Sequence, residues 1–594
     1  MTTIALPALT AFAVSLLLVR VCRALAVRWG YVANPRADRW HAKPTALFGG
    51  VGIALTVFIV YGALIGFREA PMLLTGAAVI FGVGLVDDLI GLKPYTRLIA
   101  EIAVASAYVF FGYRLAWVDS LTLDAMLTMF WIVGLTNAFN LLDNMDGLSG
   151  GISIIAGSAL LVSLALNHGP TSDVLYLASL LGAIGGFLVY NVHPASVFMG
   201  DSGSLFIGLS LAVLTLASPH GTHASSNVLS IVIGPLMIAM VPIFDTTLVT
   251  VSRILSGRSA AQGGRDHSSH RLVAMGLSER GAVAVLWSLA ALGGVLALAI
   301  RGQYYDWANI PAAIFSLGMI IFAVYLAHVR VYDVDASDLR TGQMTPFVIS
   351  FVYRRRVAEV LLDLCLISLA YYSAYRLRFG GPALSEYFQM FLQSLPLIVG
   401  VQMVSLYAVG AYRGVWRHFG LMDGVTFARG VALGSTLSVL AILFLYRFEN
   451  YSRGVFVIDA VLLMVLLCGS RASFRLMTEF AQRRSAGGER CVVYGTGSAS
   501  LATIREAFGD RPLRILGFVD DDPGRRRMSL GGYSVLGDFA QLMEMIERRE
   551  LDCVVLNTRI IDVDRLRAIE AACQDHNVDL LMLHINVQPF TVAS

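Results

Sequence analysis

The chain has 594 residues, 56% of them hydrophobic and 14% charged, with a mean hydropathy of +0.69 and a formal net charge of +3. Soluble domains carry about 25% charged residues, so the composition excludes a soluble globular protein and indicates a polytopic α-helical membrane protein. The small net charge gives no ground for nucleic-acid binding, and six cysteines without a C-x-x-C pair give none for a disulfide framework or a zinc site.

The chain starts without a basic stretch and runs straight into an apolar span, so residues 4–27 are expected as a retained first helix. Further spans near the roughly 20 residues that a bilayer requires are expected at 47–65, 72–86, 98–111, 121–139, 151–166, 175–190, 205–217, 228–251, 282–300 and 310–328, eleven in all. The loops between them sort by charge. One set carries Arg28, Arg36, Arg39 and Lys43, then Lys93 and Arg97, then Arg253, Arg258, Arg265 and Arg271, whereas the loops at 167–173 and 219–227 have no Lys or Arg. Positive charge stays inside, which puts the basic loops in the cytoplasm and the N-terminus outside. Residues 1–330 form this first module and 331–356 a polar linker. Residues 357–485 add four spans, near 357–375, 390–409, 425–445 and 455–469, with Lys/Arg-rich edges.

Four polar clusters interrupt the apolar pattern: Asp87-Asp88, the run from Asn137 through Asn140, Asp143 and Asp146 to Gly147, Met199-Gly200-Asp201-Ser202-Gly203, and Asp266-His267-Ser268-Ser269-His270-Arg271. Ionisable groups at membrane depth are costly and mark function, and the eleven-span count brings all four clusters to the basic side. Asn140, Asp143 and Asp146 are three apart and line one stripe if the helix continues there. Oxygen donors without thiolates suit Mg²⁺, with Mn²⁺ as substitute, rather than zinc. His267, His270 and Arg271 offer donors to phosphate oxygens. A cation and cationic donors together suit attack of one phosphate on another.

Over residues 34–278 the chain resembles the polyprenyl-phosphate N-acetylhexosamine-1-phosphate transferases of glycosyltransferase family 4. The likeness is carried by Asn34-Pro-Arg-Ala-Asp-Arg39-Trp-His41 with Gly49-Gly50, Gly84-Leu-Val-Asp87-Asp88, Asn137-x-x-Asn140-x-x-Asp143-x-x-Asp146-Gly147, Tyr190-Asn191-x-His193-Pro194, Phe198-Met-Gly-Asp201-Ser-Gly203-Ser204 and Asp245-Thr246. The resemblance implies transfer of a sugar 1-phosphate from a UDP-sugar to undecaprenyl phosphate, with UMP released and a surface glycan (O-antigen or exopolysaccharide) begun. It implies Asn140 and Asp201 as Mg²⁺ ligands and Asp87, Asp88 and Asp143 as catalytic carboxylates, either of the first two serving as the base. Phe198 would stack on uracil and Asp146 would hydrogen-bond it. Asn191, Arg39, His41, Arg97, His267, His270 and Arg271 would complete the substrate contacts. Departures are Arg39 and Arg97 where the family often has Lys, Asn144 where it has Gly, and His-Ser-Ser-His-Arg where other branches cluster three histidines. The last argues against the muramyl-pentapeptide branch.

Residues 486–594 turn soluble and read as a cytoplasmic α/β Rossmann-like domain. A strand at Cys491 leads into Gly495-Thr-Gly497, a second strand ends in Asp520-Asp521-Asp522 about 25 residues on, and further strands are expected near Cys553–Leu556 and 578–583. Gly495, Gly497, Asp520 and Asp521 are the candidate contacts to a nucleotide or nucleotide sugar, although Ser500 replaces the third glycine. With its four spans, this half resembles the N-terminal region of membrane nucleotide-sugar dehydratases and epimerases and of polyprenyl glycosylphosphotransferases. Here no Tyr-x-x-x-Lys dyad follows, so the tail is read as an accessory module that regulates the enzyme or recruits a sugar-modifying partner, with a homodimer as the other candidate assembly. Two rival classes fit less well: a transporter, disfavoured because the acids gather at one face and not at the midplane, and a nucleotide-sugar oxidoreductase, disfavoured by the missing dyad.

Overall fold

The computed structural model describes residues 2–33, 44–118, 120–167, 169–216, 228–255, 264, 266–301, 305–327, 345–379, 383–413, 420–448, 451–484, 489–495, 513–522, 524, 529–530, 533–557 and 562–582. The chain divides into two compact units, Met1–Arg475 and Leu476–Ser594.

The first unit begins with α1 (Thr2–Trp29), the paired strands β1 (Val32–Ala33) and β2 (Thr45–Ala46), α2 (Gly49–Leu64), α3 (Pro71–Ile90) and α4 (Pro94–Phe110). It continues with α5 (Leu121–Leu142), α6 (Leu148–Leu166), α7 (Thr171–Asn191), α8 (Gly200–Leu216), α9 (Val228–Ile238), α10 (Met240–Leu255), α11 (Ser268–Ala274), α12 (Glu279–Arg301) and α13 (Tyr305–Ala327). Proline opens α3 and α4 at a position where a missing N–H costs nothing. Between them Gly91, at φ +69°, turns the chain. Lipid gives no hydrophobic drive to helix pairing, so close approach through small residues does the work. Gly182 of α7 shows it: a Cβ there would sit 2.1 Å from the Ala8 carbonyl oxygen of α1. Two turns further along α1, the Ser15 hydroxyl donates to the carbonyl of the adjacent Ala183 at 2.7 Å.

Among the described residues, eleven helices are long and apolar enough to cross a membrane, seven of them in this part of the chain. The expected span at 228–251 is instead α9 and α10, bent by 77° at their junction, and α2 and α8 are shorter apolar helices. The span expected at 98–111 is α4, a 17-residue helix, shorter than the long apolar set, that carries Arg97 and Glu101.

Helices α14 (Thr345–Arg378), α15 (Ala383–Ala408), α16 (Leu421–Tyr446) and α17 (Arg453–Arg484) supply the other four long spans. Helix α14 starts 12 residues before the expected 357. Leu317 and Ile321 of α13 share one hydrophobic cluster with Leu366, Ile367, Leu406, Phe427 and Leu463. A buried Arg471–Asp363 pair, 2.6 Å apart, ties α17 to α14.

In the second unit, β3 (Glu489–Tyr494), β4 (Leu513–Val519), β5 (Ser529–Leu530), β6 (Tyr533–Gly537), β7 (Cys553–Leu556) and β8 (Asp579–Met582) form a sheet in the order β5-β6-β4-β3-β7-β8. All pairings are parallel except β5 with β6. The central strands are continuously apolar, as strands covered on both faces are: Cys491 to Tyr494 and all of β7 are buried. Helices α18 (Phe539–Glu547) and α19 (Val563–His576) are capped by Asp538 and Asp562. This is the Rossmann-like arrangement expected of the tail.

Candidate active site

The N-terminus of α8 is the centre of the site, and close backbone packing builds it. A Cβ on Gly84 of α3 would fall 2.5 Å from the Asp201 carbonyl oxygen, so only glycine lets α3 lie against the start of α8. Asp88, one turn after Gly84, thereby reaches the helix end and accepts the backbone N–H groups of Asp201 at 2.8 Å and Ser202 at 3.0 Å. Free N–H groups at a helix start attract such a carboxylate.

Asp87, the adjacent residue, points elsewhere. It accepts from the Leu92 N–H at 2.6 Å and pairs with Arg97 at 3.2 Å. Arg97 also lies 3.5 Å from Glu101 and 3.8 Å from Asp201, so a single guanidinium faces three carboxylates. Asn140, at the end of α5, donates to Asp201 and to the Ser204 hydroxyl. Glu101 is buried and accepts from Asn137. The sequence alone does not single out Glu101 as a site residue, although an ionisable group within an apolar stretch is the available signal.

The helix ends at Leu142, so the stripe expected from Asn140, Asp143 and Asp146 is not helical throughout. Asp143 caps α5, where burial, helped by the nearby Asp201, Asp88 and Asp146 carboxylates, pushes its carboxyl up to about 7. Asp146 lies in the following turn and accepts from His193 Nδ1 at 3.1 Å and the Ala195 N–H at 2.9 Å. Asn191 is buried beneath: it accepts from the Gly147 N–H at 3.0 Å and donates to the Val197 carbonyl at 2.9 Å. Phe198 is half-buried, its backbone bonded to Ala46 and Gly49.

The basic segment enters through α11. His267 Nδ1 is 2.8 Å from the Asp245 carboxylate, and the Ser268 N–H and hydroxyl donate to the other Asp245 oxygen. The His267 and His270 rings meet edge to face at 5.8 Å. Burial alone would raise the Asp266 carboxyl, but a bidentate Arg253 at 2.7 and 2.8 Å holds it below the usual carboxylate range. Arg271 departs from expectation. It is buried and donates to the carbonyls of Asp266 and Leu326 at 2.8 Å, to Ala327 at 3.3 Å and to the Ser252 hydroxyl at 2.8 Å. Its guanidinium closes the C-terminal end of α13 instead of facing an open phosphate site. Ser269 donates to Asn144 at 2.6 Å, so two of the noted departures from the family pattern touch each other.

Among the described residues no three His, Cys, Asp or Glu side chains gather as a metal site. Arg39, His41 and Gly497 lie outside the described residues. In the tail, Gly495 turns at φ +94° after β3, while Asp521 is engaged by Tyr494, Arg565 and the Phe539 N–H. That carboxylate is already committed within the fold, and Asp520 accepts from the Asp522 N–H at 2.9 Å.

The sequence pattern of Glycosyl transferase family 4 matches residues 70–219, and that of a CoA-binding domain matches residues 407–583. A probable undecaprenyl-phosphate N-acetylglucosaminyl 1-phosphate transferase of Bacillus subtilis is 35% identical over 49% of this chain and 84% of its own length. A decaprenyl-phosphate N-acetylglucosaminephosphotransferase of Mycobacterium tuberculosis is 33% identical over 54% of this chain and 87% of its own. A phospho-N-acetylmuramoyl-pentapeptide-transferase of Limosilactobacillus fermentum is 32% identical over 32% of this chain and 66% of its own. The chain is therefore a multi-pass membrane sugar-1-phosphate transferase. It belongs to the polyprenyl-phosphate N-acetylhexosamine-1-phosphate transferase family, joined here to a second membrane segment and a Rossmann-like domain.

Proposed function

We propose that this protein transfers N-acetylhexosamine 1-phosphate from a UDP-sugar to undecaprenyl phosphate at the cytoplasmic face of a bacterial inner membrane, releasing UMP and starting a surface glycan. The observation that supports this most is the meeting of Asp201, Asn140, Asp87 and Arg97 at the start of α8 in a chain of this family.

The donor chemistry fits Mg²⁺. Asp201 and Asn140 offer hard oxygens, and Asp201 is partly open to solvent. Mg²⁺ takes one or two carboxylates and fills its remaining positions with water and substrate phosphate, so a tighter protein cage is not needed. Bound there, it would neutralise charge on the transferring phosphates. Arg97, steered by Asp87 and Glu101, is placed to hold a phosphate oxygen, and His267 and His270 are the proposed donors from α11. Arg271 and Asn191 act by holding backbone. Phe198 stacks on the base, and Asp146 reads its imide N–H. The lipid phosphate attacks the β-phosphate of the donor in line, the bond to the UMP oxygen breaks, and UMP leaves. The tail binds a nucleotide or nucleotide sugar and adjusts the enzyme or recruits a partner.

The test uses the full-length protein in detergent with undecaprenyl phosphate, Mg²⁺ and a panel of UDP-sugars, with UMP release measured. One UDP-N-acetylhexosamine should support turnover, chelation should stop it, and Asp201→Asn should abolish it while the protein stays folded. Near-normal turnover in that variant would overturn the metal assignment.

A further inference from the structure

His193 stands between two carboxylates from different parts of the chain. Its Nδ1 lies 3.1 Å from Asp146 Oδ2 and 3.2 Å from Glu279 Oε2. The Ala195 N–H donates to the same Asp146 oxygen at 2.9 Å. Two donors therefore meet Oδ2, and Oδ1 receives none from the described residues. Glu279 is the first residue of α12, and its neighbour Arg280 donates to the His193 carbonyl at 3.1 Å. Helix α12 is itself locked in place: Trp287 lies over Gly151 of α6 so closely that a Cβ there would be 2.1 Å from the indole ring. The start of α12 thus grips His193 by ring and backbone together.

We propose that Glu279 and His193 are positioning residues that orient Asp146 and make the site select uracil over cytosine. This rests on the reading of Asp146 as the base contact. Uracil and cytosine have the same ring size, so stacking on Phe198 does not separate them. They differ at N3, which carries a proton in uracil and a lone pair in cytosine. An ionised carboxylate with one oxygen pinned presents the other as a pure acceptor, which suits uracil and repels the cytosine lone pair. A carboxylate free to rotate or to take up a proton loses that distinction. Glu279 matters because a second carboxylate beside Nδ1 keeps that nitrogen a donor, and a donor at Nδ1 is what fixes Asp146 Oδ2. Glu279 is not part of any motif singled out in the sequence, since its role is visible only once α12 is placed beside the Asp146 turn.

The test is competition by UDP and by CDP against UMP release, in the wild type, Glu279→Gln and His193→Gln. A site built on a hydrogen bond to the substrate discriminates strongly, so the wild type should prefer UDP by at least about 100-fold. In both variants that ratio should fall by roughly tenfold, the size of effect expected from loss of one charge-assisted contact, and KM for the UDP-sugar should rise more than kcat falls. Glu279 is partly exposed, so Glu279→Gln keeps its fold. A selective wild type with unchanged selectivity in both variants would overturn this inference and leave the nucleotide reading standing. A wild type that does not separate UDP from CDP would overturn the reading of Asp146, and the inference with it.

Discussion

Asp88 holds Asp201 by its backbone: the Asp88 carboxylate accepts the Asp201 N–H at 2.8 Å and caps the helix that carries the proposed metal ligand. Adjacent acids in the chain therefore do different work, Asp87 facing Arg97 and Asp88 facing a helix end. Asp88→Ala should cost about 1 kcal/mol or more of stability, as loss of a helix cap does, and should lower turnover by misplacing Asp201. Asp88→Asn keeps one acceptor and should be milder, its activity partly restored by raised Mg²⁺. Thermal unfolding in detergent and UMP release against Mg²⁺ concentration check this. A fully stable Asp88→Ala protein without activity at any Mg²⁺ level would mean that Asp88 meets substrate instead.

The spans and the tail strands were legible because hydropathy and β-branched runs report burial directly. Asp87, Asn140 and Asp201 were legible as a group because hard-oxygen residues at span ends have few other uses. What residue types do not reveal is the partner. Arg271 reads as a phosphate donor by its chemistry, yet backbone carbonyls at the end of α13 consume it. Glu101 and Glu279 lie in helices, outside the polar clusters, and gain meaning only from Arg97, Asn137 and His193 across space. Hydropathy likewise does not distinguish one span from two helices bent by 77°, so it does not reveal the α9–α10 break.

Arg271→Lys tests the structural account of that residue. A lysine carries one ammonium and lacks the planar fork that reaches Asp266, Leu326 and Ser252 together. With buried carbonyls left unpaired, the loss should be ~3 kcal/mol. The thermal midpoint in detergent should drop clearly, while the folded fraction keeps its KM for donor. A raised KM with an unchanged midpoint would return Arg271 to the substrate.

Asp143 has a folded pKa raised from the ordinary value to about 7, burial being the main cause and the Asp201, Asp88 and Asp146 carboxylates adding to it. The folded state thus binds a proton that the unfolded chain releases near 3.9. Stability of the metal-free protein should fall as pH rises from about 4 to about 7 and then level off. Asp143→Asn removes the charge and should be more stable than wild type at pH 8, with little difference at pH 4. Melting curves recorded in chelator at both pH values check the sign. Equal stability at pH 8 would show that Asp143 ionises there without penalty.

Phosphotransfer should survive removal of the chain beyond α13. Every residue placed at the proposed phosphotransfer site lies before residue 280, and Arg271 secures the end of α13 through Leu326 and Ala327. A chain ending near Val331 keeps those contacts. It loses Leu366, Ile367, Leu406, Phe427 and Leu463, against which Leu317 and Ile321 pack. Lipid tails are as apolar as those side chains and can take their place, so transfer should continue at a rate of the same order. A second chain ending after Arg484 removes only the Rossmann-like domain and separates its effect from that of α14–α17. If the tail is regulatory, both chains should lose any response to an added nucleotide or nucleotide sugar, because an effector changes an active site only through its differential affinity for two states of the enzyme. UMP release by the full chain and the two shorter ones, with and without such an effector, decides it. Shorter chains that fold and bind donor but do not transfer would make the C-terminal half part of the catalytic machine.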